Sequence, residues 1–248
     1  MAAAVASMIN FVLVHGAWHS GRELEPVAEM LRSAGHAAFA PTIRGNGPRD
    51  AKTIGLDDAI RSIVDWLAAN DLTDVVLVGH SFGGMIITSV ADLVPRRIRR
   101  LVYWNAFVPN HGESVADMLP PPYVALFNAI AAERGDGAVL LPFPIWREAF
   151  INDADLDTAR RAYEVLNPHP IRTLFDRITL AVNPSGMDIP KAYINGTEDN
   201  SLPPDFAWHP HLSQKLGRFR LVEVPGSHEL CFSNPTRLTQ AILDAGRD

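Results

Sequence analysis

Short runs of consecutive apolar residues alternate along this chain with segments whose apolar residues recur every three or four positions. Phe11-Val12-Leu13-Val14 is a continuous run, and Leu24, Val27, Ala28 and Leu31 follow it at helical spacing. Residues 36–41 read as a second strand, and across 56–69 Ile60, Ile63, Val64 and Leu67 fall on one helical face. Val75-Val76-Leu77-Val78 reads as a strand, Met85 to Ala91 as a helix, and Leu101-Val102-Tyr103-Trp104 as a strand again. Segments of helical period set between continuous apolar runs predict helices that connect strands. This order predicts an α/β fold, a mostly parallel sheet flanked by helices. Strands that are apolar throughout, rather than at alternate positions, suit a sheet covered on both faces.

The pattern breaks after Val108. Pro109, Pro120-Pro121-Pro122, Pro142, Pro144, Pro168, Pro170 and Pro184 divide the region into short pieces, since proline has no amide hydrogen for a ladder or a helix interior. Helical runs remain at 123–132 and 155–166, with aromatic residues among them. Alternation resumes at Lys191-Ala192-Tyr193-Ile194, followed by a helical segment over 206–216, a strand over 219–224 and a closing helix over 235–245. The expected organisation is a core of residues 1–108 and 188–248, interrupted by an inserted helical cap over 109–187 that acts as a lid.

Composition narrows the function classes. A chain of 248 residues that is 47% apolar and 20% charged can bury a substantial core, and its net charge of −6 argues against a nucleic-acid or anionic membrane partner. The single cysteine excludes an internal disulfide and fits a reducing compartment. Cys231 lies in the apolar run Leu230-Cys231-Phe232 and reads as a buried structural thiol. The alanine-rich start lacks the basic residues of a signal peptide and leads directly into a core strand. Residues ahead of Met8 read as an extension, and cytoplasmic residence is expected. His209-Pro210-His211 reads as a surface turn rather than a metal site. Gly45-Asn46-Gly47 has no following Lys-Ser/Thr to make a phosphate loop. Neither a metal nor a cofactor is expected.

The candidate chemistry centres on Gly79-His80-Ser81-Phe82-Gly83-Gly84, which sits between a strand and a helix. A serine flanked by glycines at such a junction suits a sharp turn that exposes its hydroxyl above a parallel sheet. A serine hydroxyl needs an adjacent base, and the base needs an orienting acid. Thr197-Glu198-Asp199 and Gly226-Ser227-His228 each follow a strand, so both belong on the same rim as Ser81. Ser81 is the candidate nucleophile, His228 the base, and Asp199 the acid, with Glu198 and Asp205 as competitors. His80 is expected to pack structurally. Val14-His15-Gly16-Ala17-Trp18 follows the first strand, and the N–H groups of Ala17 and Phe82 are candidate oxyanion donors. His15 is expected to brace that loop. Trp18, Phe107, Tyr123, Phe127, Phe143 and Trp146 are candidate pocket residues, the alternative being that they make core and cap contacts.

Residues 11–16 and 79–85, Asn105-Ala106-Phe107-Val108-Pro109, Thr197-Glu198-Asp199 and Gly226-Ser227-His228 together resemble the plant methylesterase and hydroxynitrile lyase branch of the α/β-hydrolase superfamily. The resemblance runs from Ile9 to Leu243 and is weakest in the cap. It implies a sheet without the superfamily's usual first two antiparallel strands, and a small helical cap. It carries the triad onto Ser81, Asp199 and His228, and the oxyanion donors onto Ala17 and Phe82. Two departures bear on the chemistry. Cyanohydrin-cleaving members have a threonine where this chain has Gly16, and a cyanide-stabilising lysine where it has Glu229. Plant members also tend to carry a tryptophan near Arg22, and the alanine- and arginine-rich composition looks bacterial. The expected function is a serine-dependent carboxylic ester hydrolase, forming an acyl-enzyme on a small to medium apolar or aromatic ester. Methyl, aryl, lactone and xenobiotic esters all fit. The expected partner is the small-molecule substrate, and the expected state a monomer or homodimer. The alternatives are a cofactor-free oxygenase on the same fold, or a ligand receptor that uses its triad little.

Overall fold

The computed structural model describes residues 8–248, so the expected extension ahead of Met8 lies outside the described residues. Along the first half run β1 (Asn10–Val14), α1 (Gly21–Ser33), β2 (Ala37–Phe39), α2 (Leu56–Ala69), β3 (Val75–His80), α3 (Gly83–Leu93) and β4 (Ile98–Trp104). Next come α4 (Pro121–Arg134), β5 (Ala138–Val139), α5 (Phe143–Ala149), α6 (Leu156–Glu164), β6 (His169–Pro170) and α7 (Arg172–Phe175). The chain then returns through β7 (Lys191–Gly196), β8 (Arg220–Val224), α8 (Leu230–Ser233) and α9 (Pro235–Gly246). Six strands form one sheet in the order β2-β1-β3-β4-β7-β8, every pair parallel, while β5 and β6 make a separate antiparallel ribbon.

The continuous apolar runs have a simple cause. Successive strand side chains point to opposite faces, and both faces here are covered. Phe11 and Leu13 of β1 join Val76, Val78 and Val102 beneath α1 and α9, against Leu24, Val27, Leu238 and Ile242. Val12 and Val14 point the other way, into a cluster with Ile60 and Ile63 of α2 and Met85 and Ile86 of α3. The segment between β4 and β7 extends this second cluster, through Phe127, Leu141, Trp146, Phe150 and Leu174. It therefore shares its apolar packing with the α2–α3 face of the sheet.

Register decides where the loops emerge. Val14 pairs with Gly79, His80 with Trp104, Trp104 with Ile194, and Gly196 with Val224. The C-terminal ends of β1, β3, β4, β7 and β8 thus lie side by side, and the loops after them open on one rim.

Three elements differ from the sequence reading. The second strand is only three residues long. The helical segment expected over 206–216 is a chain of short helical turns, because Pro210 interrupts it. The β5–β6 ribbon has strands of two residues each, too short to leave a periodic signal.

At the start of α3 the backbone meets its neighbours with no side chain between. A β-carbon on Gly83 would lie 2.5 Å from Val14 O, and one on Gly84 would lie 2.0 Å from Phe107 O. Gly84→Ala is accordingly expected to destabilise the protein by about 3 kcal/mol or more, since the clashing partner is main chain and cannot rotate away. Urea denaturation of the variant beside the unmodified protein measures this.

Candidate active site

Ser81 occupies the turn between β3 and α3, and its backbone is left-handed, with φ of 52°. A non-glycine residue rarely stays there unless neighbours hold it. Ser81 N–H donates to Trp104 O at 3.2 Å, and Ser81 O accepts from Gly84 N at 3.0 Å and Phe107 N at 3.1 Å. The turn is thereby clamped to the end of β4 and the loop beyond it, and the serine side chain faces a cavity.

His228 and Asp199 meet directly. His228 Nδ1 and Asp199 Oδ2 are 2.6 Å apart, with both side chains almost completely buried. Oδ2 also accepts from Asn105 Nδ2, while Oδ1 accepts from the Ser201 N–H at 2.8 Å and from its hydroxyl. Burial alone would raise the Asp199 pKa; the facing imidazole and these hydrogen bonds outweigh it and hold the carboxyl below its ordinary value. With Nδ1 engaged as donor, Nε2 carries the free lone pair. The imidazole is stacked on Trp208 at 5.0 Å and meets the edge of Phe150 at 5.2 Å, which restricts its rotation. Among the described residues no hydrogen bond joins Ser81 to His228, so the Asp199–His228 contact is closed and the Ser81–His228 contact is open. Glu198 and Asp205 are exposed and make no contact with the imidazole.

The remaining histidines are structural in geometry. His80 stacks on Trp104 at 3.8 Å and its Nε2 lies 3.0 Å from His228 O, so it supports the base's backbone. Burial, with His228 and His19 adding to it, pushes its pKa well down. His15 accepts the Ile43 N–H at Nε2, 3.0 Å away, so Nδ1 carries the proton and donates to Gly16 O at 2.8 Å. Burial lowers its pKa to about 3. The peptide unit whose carbonyl His15 holds is the one whose N–H belongs to Ala17. Ala17 and Phe82 both line the cavity, and neither amide donates a hydrogen bond among the described residues.

His19, which the sequence reading did not single out, forms a buried ion pair. Its Nε2 is 3.0 Å from Glu229 Oε2 and its Nδ1 donates to Ala17 O at 2.6 Å. Burial opposes a charge on His19, but Glu229 and Glu23 outweigh it and the pKa is raised. Glu229, which stands where cyanohydrin-cleaving relatives have a lysine, is thus committed to His19. Its carboxylate turns away from the cavity toward His19, so it does not act on a departing group there. The stronger argument against cyanohydrin cleavage is steric and electrostatic. A β-carbon on Gly16 would lie 2.9 Å from His80 Nδ1, which leaves no room for a threonine, and among the described residues no lysine or arginine lines the cavity. Cys231 is buried as expected, and burial with the nearby Glu229 charge raises its thiol pKa.

The empty space in front of Ser81 comes to about 410 Å³ when its mouth, open to solvent, is counted. Trp18, Phe107, Tyr123 and Phe127 line it as anticipated, but Phe143 and Trp146 do not. Their helix, α5, turns both toward α6, where they pack on Tyr163 at 5.3 and 5.6 Å. Phe150, at the end of the same helix, takes the pocket position, together with Leu174, Leu202 and Trp208. Asn105 and Ser201, the two residues that complete the Asp199 site, were also missed. Their signal was position: Asn105 follows β4 on the shared rim, and Ser201 stands two residues after the acid.

The segment between β4 and β7 reaches the site through hydrogen bonds as well. Phe150 O accepts from Glu229 N at 3.2 Å, Asp153 Oδ2 from Ser227 N at 3.1 Å, and Asn152 Nδ2 donates to Glu198 O at 2.9 Å. Phe150 and the consecutive Asn152 and Asp153 thus tie down the loops that carry His228 and Asp199.

Glu229→Gln is expected to cost about 3–5 kcal/mol at pH 6, because it leaves a buried imidazolium without its counter-charge. The sign with pH follows from the raised His19 pKa. The pair contributes fully below the unfolded value of 6.5, and the contribution is lost as pH rises through the higher folded value. Urea denaturation at pH 6 and pH 9 should therefore give a smaller gap between variant and parent at pH 9.

Comparison with known proteins identifies the family. Residues 11–241 match the model of the alpha/beta hydrolase family. The chain is 34% identical to the carbendazim hydrolyzing esterase of Nocardioides sp. strain SG-4G, over 96% of this chain and all of that protein. It is 28% identical to methylesterase 18 of Arabidopsis thaliana, over 95% of this chain and 96% of the relative. An extracellular alpha/beta-hydrolase from a Paenibacillus species superimposes with a TM-score of 0.93 at 36% identity, covering 97% of this chain and 100% of the other. No helix among the described residues is long and apolar enough to cross a membrane. The chain belongs to the alpha/beta hydrolase family and is a hydrolase of the carboxylesterase type.

Proposed function

We propose that this protein hydrolyses small to medium apolar or aromatic carboxylic esters through an acyl-enzyme on Ser81. The observation that carries the reading is the buried His228–Asp199 contact of 2.6 Å on the rim where Ser81 faces an apolar cavity. In the first half-reaction His228 Nε2 takes the Ser81 proton as the oxygen attacks the ester carbonyl. The oxyanion forms against the N–H groups of Ala17 and Phe82, each contributing about 2.7–4 kcal/mol to the transition state. His228 then protonates the departing alcohol, leaving the acyl group on Ser81. Water, deprotonated by the same nitrogen, attacks this ester, and the acid departs as the proton returns to Ser81. Asp199 holds the imidazole tautomer and stabilises the transient imidazolium.

In this reading residues 109–187 act as the lid over the pocket, with Tyr123 and Phe127 supplying its wall. The apolar, aromatic lining suits a ring-bearing ester with little polar recognition. Relatives named for carbendazim hydrolysis and as a methylesterase support an ester of moderate size. The single cysteine favours a reducing compartment such as the cytoplasm, although the Paenibacillus relative is extracellular.

Ser81→Ala is expected to lower kcat for p-nitrophenyl butyrate by about 10³-fold or more and to abolish labelling by a fluorophosphonate. Undiminished turnover would sink the assignment. Asp199→Asn is expected to lower kcat by about 10⁴-fold with little change in KM, because the acid orients the base and does not touch substrate. Steady-state kinetics of both variants on the same ester provide the comparison.

A further inference from the structure

Of the four tyrosines in the sequence, three have their hydroxyls committed inside the protein. Tyr103 Oη and Thr88 Oγ1 are 2.7 Å apart, Tyr163 donates to Leu141 O at 2.6 Å, and Tyr193 donates to Ala106 O at 3.0 Å. The Tyr123 hydroxyl makes no hydrogen bond among the described residues, and Tyr123 lines the cavity that Ser81 faces.

The other polar side chains of the lining are accounted for. Trp18 Nε1 donates to Val139 O at 3.0 Å, and Trp208 Nε1 donates to Ser201 Oγ at 2.9 Å. The Ser201 hydroxyl in turn donates to Asp199. Ser81 aside, Tyr123 carries the one polar side-chain group in the lining without an internal partner. Burial, and then the Asp199 charge, push the phenol's pKa up, so it remains a protonated donor at neutral pH. Tyr123 stands in the first turn of α4, beside Phe127, on the wall that the inserted segment supplies. Ala17, Ser81 and Phe82 belong to the sheet's rim.

We infer that Tyr123 is a specificity-determining residue whose hydroxyl binds a hydrogen-bonding heteroatom of the substrate remote from the reacting carbonyl. The inference rests on the ester-hydrolase reading of the site, and it names the substrate class. The favoured esters are neutral and aromatic, and they carry one ring nitrogen, carbonyl or hydroxyl. A plain hydrocarbon ester would cover the phenol without satisfying it, which costs affinity. An anionic ester has no lysine or arginine in the lining to receive it.

The test compares methyl 3-phenylpropanoate with the 2-, 3- and 4-pyridyl analogues, which share the leaving group and reacting carbonyl. Affinities are measured by calorimetry on the Ser81→Ala protein, with and without Tyr123→Phe, so that binding is read without turnover. For at least one isomer the pyridyl-to-phenyl affinity ratio should fall about three- to tenfold on Tyr123→Phe. A ratio left unchanged for all three isomers overturns the inference. Hydrolysis of the same esters by the unmodified protein is followed in parallel. Loss of the ratio change with hydrolysis intact removes the Tyr123 role alone, whereas absence of hydrolysis removes the reading of the reaction.

Discussion

The approach of α3 to the sheet, main chain against main chain, is the constraint from which the site follows. Gly83 and Gly84 leave no side chain between the helix and the carbonyls of Val14 and Phe107. That closeness brings Ser81 N and O within reach of Trp104 and Phe107, which hold a left-handed conformation the residue would not keep by itself. The same contact fixes the serine relative to the loop after β1, because Val14 leads into His15 and Ala17. A parallel register does the rest by ending β1, β3, β4, β7 and β8 side by side.

Behind that rim lies a buried layer that is unusually polar. His15, His19, His80, Glu229 and Asn105 are all essentially inaccessible. Burying such groups is costly unless each is paired, and here the pairing does a positional job. His15 grips the peptide that presents the Ala17 N–H, and His19 grips the next carbonyl while meeting Glu229. The residue after the base is thus tied to the loop that carries the candidate oxyanion donor. His80, which directly precedes Ser81, reaches the backbone carbonyl of His228 with its ring. Three histidines near one another titrate differently because only His19 has carboxylates close by.

Much of the fold was legible because the sheet is covered on both faces. Phe11 to Val14 had to be apolar at every position, and such a run marks a buried strand whatever surrounds it. The elbow was legible for a similar reason: glycines at fixed distances from a serine report a local backbone requirement. The inserted segment was harder to read. α5 is seven residues long and buries only Trp146, too little to set a periodic signal, so its sequence could not say that Trp146 faces Tyr163 while Phe150 faces the cavity. Nor could the sequence say that Phe150, Asn152 and Asp153 brace the acid and base loops, because those partners lie about 50 or more positions away in the chain.

By itself, then, the sequence determined the parallel α/β core, the serine turn, and the loops on which an acid and a histidine follow strands. These are set by hydrophobic period and backbone geometry over a few neighbouring residues. The sequence favoured Asp199 over Glu198 and Asp205; tertiary structure placed Asp199 against His228 and alone decided that Asn105 and Ser201 complete its hydrogen bonds. It also decided that Glu229 turns to His19 rather than into the cavity, and that Tyr123 keeps a free hydroxyl there. Each of those outcomes depends on which groups from distant elements share a buried space, where an unpaired polar atom is costly and its partner is chosen by the packing of the whole chain.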